Sequence, residues 1–171
     1  ALPRLAELSN VSGVPALIRR FRSNGQGAAY ELAVAHAHRG NLRAVGGLTS
    51  DGEEVDAELR SGTLVESKSA PPKRPDHVLT QIQRRATDGH RVVLALGYLP
   101  SEQQLRHLRA LNNKLAGRLE VQHIPIGGST YRVLVHGRDV EDPTHRVPAP
   151  APLQTRLSSP EPAIGRFPTS S

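Results

Sequence analysis

The five residues Val92-Val93-Leu94-Ala95-Leu96 constrain the fold more than any other segment of the chain. A strand with one wet face alternates apolar and polar residues. A near-continuous apolar run is instead the pattern of a strand covered on both faces, and such strands belong to parallel sheets flanked by helices. The flanking sequence supplies those helices. Upstream, Val78, Leu79, Ile82 and Ala86 recur at helical spacing until Asp88-Gly89 stops them. Downstream, Ser101 caps a helix through Leu115 with Leu105, Leu108 and Leu111 inward. Leu119 to Ile124 predicts a further strand, and Tyr131 to Val135 a last edge strand after Gly127-Gly128.

The first 40 residues read as helical: Leu2, Leu5 and Leu8, then a helix opened by Pro15, then an Ala-rich helix from Gly27 to His38 closed by Gly40. Strand signals follow at Leu42 to Leu48, Glu54 to Leu59 and Thr63 to Lys68, separated by the turn pairs Asp51-Gly52 and Ser61-Gly62. Pro71-Pro72 and Pro75 end the third. The order is helix, three strands, helix, strand, helix, strand, which predicts an α/β sandwich with a mixed sheet. The three early strands form a meander, and the later ones, joined by helical crossovers, run parallel.

From about Glu141 the composition changes. Half of the chain's 14 prolines fall between Pro143 and Pro168, and from Glu141 onward three acids cancel three arginines. Such a segment buries little apolar surface and is expected to be disordered or extended. The chain thus divides into an N-terminal helical segment (1–24), an α/β domain (25–140) and a Pro-rich tail (141–171). The net charge of +6 then resides in the folded part, and a pI near 10.5 suits a polyanionic partner such as nucleic acid. Three Tyr, two Phe and no Trp are too few for a surface of stacked aromatics. The absence of Cys excludes disulfides and thiolate metal sites, and no apolar run is long enough to span a membrane.

Chemistry concentrates on the hairpin Glu54 to Lys68. With a three-residue loop, Arg60 to Gly62, Leu59 faces Thr63 and Asp56 faces Glu66. Directly opposed residues lie roughly 4.5–5.5 Å apart at Cβ, so two carboxylates there repel unless a cation sits between them. Lys68, two residues beyond Glu66, shares its face. Mg²⁺ (or Mn²⁺) typically takes one or two carboxylates and keeps waters, leaving room for a phosphate oxygen. An ammonium beside it neutralises charge that develops during phosphodiester hydrolysis.

Asp56, nine residues, then Glu66-Ser67-Lys68, on a hairpin followed by a helix, resembles the PD-(D/E)XK nuclease superfamily over about residues 25 to 125. The resemblance implies a restriction-endonuclease-like αβββαβ core and a metal-dependent nuclease. In that case Asp56 and Glu66 are metal ligands and Lys68 is the catalytic lysine. It also implies that Glu31, on the helix before the first strand, is an acid near the metal, and that Gln81, on the helix after the motif, belongs to the site. Val55 stands where most members have proline. The literal Pro75-Asp76 pair has no Glu-X-Lys at a suitable distance. Lys73, Arg74, Arg84 and Arg85 are candidate contacts to a nucleic-acid backbone.

Other chemistries lack their patterns. The eight histidines show no HExxH-type pairing, neither Gly-Gly pair is followed by Gly-Lys-Ser/Thr, and no Gly-X-Ser-X-Gly elbow occurs. The sequence therefore leaves a nuclease, with DNA placed ahead of RNA or transfer RNA as substrate, against a non-catalytic nucleic-acid-binding module. Small domains of this superfamily resemble toxic tips of larger bacterial effectors. That resemblance implies delivery as part of a parent polypeptide, a cytoplasmic site of action and a neutralising immunity protein.

Overall fold

The computed structural model describes residues 5–23, 25–48, 52, 54–127, 130–137 and 146–148. Four α-helices and seven strands occur among them: α1 (Val14–Ser23), α2 (Gly25–Ala37), β1 (Leu42–Leu48), β2 (Glu54–Leu59), β3 (Leu64–Lys68), α3 (Pro75–Thr87), β4 (Val92–Leu96), α4 (Glu102–Lys114), β5 (Leu119–His123), β6 (Thr130–Val135) and β7 (Arg146–Pro148). The strands form one mixed sheet in chain order. β1, β2 and β3 are an antiparallel meander, β3, β4 and β5 are parallel, and β6 and β7 return antiparallel. The α/β class and the mixed sheet match the sequence reading. None of the described helices is long and apolar enough to cross a membrane.

β4 is buried along its whole length. Val93 and Ala95 enter a core with Tyr30, Leu32 and Val34 of α2 and Leu17 of α1. Val92, Leu94 and Leu96 enter a second core with Ile82 of α3 and Leu105 and Leu108 of α4. A strand whose alternate side chains feed two cores needs helices on both sides, which is why no polar residue interrupts it. The α4 start is fixed by a reciprocal capping box between Ser101 and Gln104.

Two expectations change. The predicted helix through Leu2, Leu5 and Leu8 is a single 3-10 turn, Leu5–Leu8, and Leu2 lies outside the described residues. The chain leaves that turn to place Ser12 beside β1, where Ser12 O accepts from Val45 N. Gly13 follows at φ 84°, where an added Cβ would stand 1.8 Å from Val45 O. Leu8, Val14 and Leu17 of the N-terminal segment are all buried in the first core. The Pro-rich tail is also not wholly without secondary structure, because Arg146–Pro148 pairs with β6. Backbone pairing to an otherwise open edge needs no apolar side chains, so composition did not reveal it. Residues 149–171 lie outside the described residues.

Candidate metal and phosphodiester site

The β2–β3 hairpin closes as the sequence suggests. Leu59 N donates to Thr63 O, and the ladder pairs Glu58 with Leu64 and Ala57 with Val65. That register projects Asp56 opposite Glu66. There the ladder stops, because Ser67 N–H, instead of continuing it, donates to Asp56 Oδ2 at 2.6 Å. The Ser67 hydroxyl donates to the same oxygen at 2.8 Å. Both bonds fall on Oδ2, so Oδ1 has no hydrogen bond among the described residues. Ser67, the middle residue of the Glu-X-Lys triplet, is thus a positioning group that spacing alone does not reveal.

Glu66 is 5% exposed at the centre of the sheet, between β2 and β4. Lys68 Nζ donates to its Oε1 at 2.5 Å, and Arg85 Nη1 donates to its Oε2 at 2.5 Å. Arg85 also donates from Nη2 to Glu54 O at 2.6 Å, so one guanidinium ties α3 to both strands of the hairpin. At 3% exposure Arg85 is not available to a nucleic-acid backbone, which corrects its assignment as a phosphate contact. The helical period explains its burial: Arg85 falls on the same stripe as Val78, Ile82 and Ala86.

Glu31 projects from α2 with its side chain 12% exposed. Arg20 of α1 donates to its Oε1 at 2.5 Å and approaches Glu54 at 3.5 Å. Glu31 Oε2 is buried with no hydrogen-bond partner among the described residues. Burial, then the Asp56 carboxylate, pushes the Glu31 pKa up to about 7 against the pull of Arg20. Burial, then Glu66, likewise raises Asp56, against its two Ser67 bonds and the Lys68 ammonium. Two neighbouring carboxylates are therefore held where their negative charge is under-compensated.

The other predicted residues scatter. Gln81 stands one turn before Arg85 on α3, but it is exposed and makes no hydrogen bond to the carboxylates. Lys73 and Arg74 are exposed in the β3–α3 loop, and Arg84 is exposed in the last turn of α3. Arg20 had no signal in the motif, because its link to Glu31 depends on how α1 packs on α2.

The donor set limits the form in which a divalent ion could be held. Among the described residues no group of three or more His, Asp or Glu converges on one point, which disfavours an all-protein cage. Asp56 Oδ1 carries no hydrogen bond among the described residues. Each Glu66 oxygen holds one cationic donor and retains a second lone pair. Two carboxylates and several waters are what a hard ion such as Mg²⁺ accepts.

A scan against protein-family models returns no match for this chain, and searches of curated proteins and of solved structures return none either.

Proposed function

We propose that this chain is a divalent-metal-dependent nuclease of the PD-(D/E)XK type, on a restriction-endonuclease-like core, with DNA as its first substrate. The observation that carries the reading is the Asp56–Glu66–Lys68 arrangement. Asp56 is pinned by Ser67 at the point where the hairpin ladder ends, beside a buried Glu66 that already holds the Lys68 ammonium. A solvated strand face does not bury a carboxylate to 5% and assign two cations to it.

Asp56 and Glu66 would hold the ion, whose chemistry is to polarise a phosphoryl oxygen and to lower the pKa of a bound water. Lys68 is 29% exposed, so its ammonium reaches solvent as well as Glu66. From there it can meet a non-bridging phosphate oxygen and offset the negative charge that grows on it. Arg85 holds Glu66 without reaching substrate, and Ser67 does the same for Asp56. Glu31 is close enough to Asp56 for the two carboxylates to repel, and burial with that repulsion pushes its pKa up to about 7. Lys73 and Arg74 supply exposed positive charge on the loop that follows β3.

The test is incubation of the purified chain with plasmid and with total RNA in Mg²⁺, Mn²⁺ or EDTA, beside Glu66→Ala and Lys68→Ala. The expected result is metal-dependent cleavage by the wild type that both variants lose. Absence of cleavage under either metal, or equal cleavage by the variants, contradicts the proposal.

A further inference from the structure

A recess opens beside Lys68, between α3, α4 and the loop after β4. Its walls are Pro72, Val78, Leu79, Leu96 and Tyr98, and among the described residues Lys68 contributes the one charged side chain that lines it besides the titratable His107. Lys68 pairs in register with Leu96, and Glu66 with Leu94, so these two site residues lie on the face of the sheet that carries the recess. Ligand pockets take this form: apolar walls with a few placed polar groups.

We propose that this recess is a nucleobase pocket that receives one unstacked base of the strand whose phosphate lies at Asp56, Glu66 and Lys68. The inference rests on the nuclease reading and narrows its substrate to nucleic acid that is unpaired at the cleavage point. Three observations select a base as occupant. First, the polymer backbone tethers a base to each phosphate, and Lys68 belongs to both the phosphate site and the recess wall.

Second, the loop that forms one wall carries positive charge that complements a nucleotide. Pro72 and Pro75 line the recess, and the two residues between them, Lys73 and Arg74, are exposed cations. A purely apolar occupant such as an acyl chain gains nothing from them, whereas a base carries its phosphates to that rim. Third, the lining offers a ring and an edge. Tyr98, half-buried, lines the recess and supplies an aromatic ring on which a base can stack. Gln104 spends its Oε1 on the Ser101 N–H, which leaves its amide hydrogens for a base edge, and His107 lies beside it. The chain has too few aromatics for a row of stacked bases, but one pocket needs one ring. A base inside a duplex cannot enter such a recess without leaving its stack.

The test compares a single-stranded hexanucleotide, in DNA and RNA versions, with a hexamer of abasic sugar phosphates. Binding to the full chain is read by fluorescence anisotropy in EDTA, where no hydrolysis occurs. Wild type should bind at least one base-bearing hexamer about tenfold tighter than the abasic one, which corresponds to about 1.4 kcal/mol. Leu79→Trp, which fills the recess, should bind the two alike, and Tyr98→Ala should lose most of the difference. Equal binding by the wild type, no binding at all, or base dependence that survives Leu79→Trp overturns the inference. The wild-type comparison stands even where a variant fails to fold.

The same hexamers with Mn²⁺ separate this inference from the reading beneath it. Equal cleavage of base-bearing and abasic hexamers overturns the pocket and leaves the nuclease. Base-dependent binding with no cleavage of any substrate overturns the nuclease and leaves the pocket. The DNA and RNA arms report which sugar the site accepts.

Discussion

Arg85→Ala is the perturbation whose size the structure sets most tightly. The substitution removes a 3% exposed guanidinium that donates to Glu66 Oε2 at 2.5 Å and to Glu54 O at 2.6 Å. Removing one member of a buried ion pair typically costs about 3–5 kcal/mol, because the other charge stays behind without its partner. Lys68 still holds Glu66 Oε1 and is 29% exposed, so part of the charge remains compensated. The expected loss is therefore near the lower end, about 3 kcal/mol, with the orphaned Glu54 carbonyl included. Urea denaturation reads this as a midpoint shift of about 1–2 M. Repeating the substitution in a Glu66→Gln background separates the pair from the packing. There the penalty should shrink to about 1–2 kcal/mol, giving a coupling energy of at least about 1 kcal/mol. A loss below about 1 kcal/mol in the wild type, or an equal loss in both backgrounds, refutes the ion-pair account of Glu66.

Three further outcomes follow from the same geometry. Glu31, with its pKa raised from 4.5 to about 7, keeps a proton that the unfolded chain has released across that window. Stability therefore falls as pH rises from 4.5 to 7, and the penalty is complete above 7. Glu31→Gln should raise Tm more at pH 8 than at pH 5 in EDTA, and a pH-independent or reversed difference in thermal melts contradicts it. Mn²⁺ at about 100 times its Kd should stabilise the wild type by about 2.7 kcal/mol, and Asp56→Asn should abolish that gain while folding normally. An unchanged Mn²⁺ effect in Asp56→Asn, read by thermal melts, removes Asp56 from the ion's ligands. Gly13→Ala combines a φ of 84° with a Cβ 1.8 Å from Val45 O, and should cost about 3 kcal/mol or more in urea denaturation. A loss under 1 kcal/mol means the Ser12–Val45 junction is not rigid.

The sequence carried the sheet because its information was local. The Val92–Leu96 run, the turn pairs and the helical stripes each settle one element, and chain-order neighbours then pair. The hairpin register was equally legible: a three-residue loop fixes Leu59 against Thr63, and Asp56 follows by counting. What the sequence did not carry depends on contacts between distant segments. Arg20 reaches Glu31 only through the packing of α1 on α2, and β7 exists only because β6 offers an edge. Arg85 is an intermediate case. Its place seven residues after Val78 and three after Ile82 put it on the apolar stripe, and a charged residue there must find a buried partner. Its neighbour Arg84 is exposed, and sequence adjacency alone does not separate the two.

The central claim is that Asp56, Glu66 and Lys68 form one hydrolytic site, and the cleavage rate of a Lys68 variant tests it most directly. Under single-turnover conditions with saturating Mn²⁺, Lys68→Met should lower the rate on plasmid or RNA about 10²–10³-fold, the effect of removing one preorganised stabiliser of developing charge. Retained Mn²⁺ binding and a cooperative urea transition would show that metal site and fold persist, even though the loss of a cation beside buried Glu66 lowers the midpoint. A Lys68→Met chain that cleaves at the wild-type rate would contradict the account.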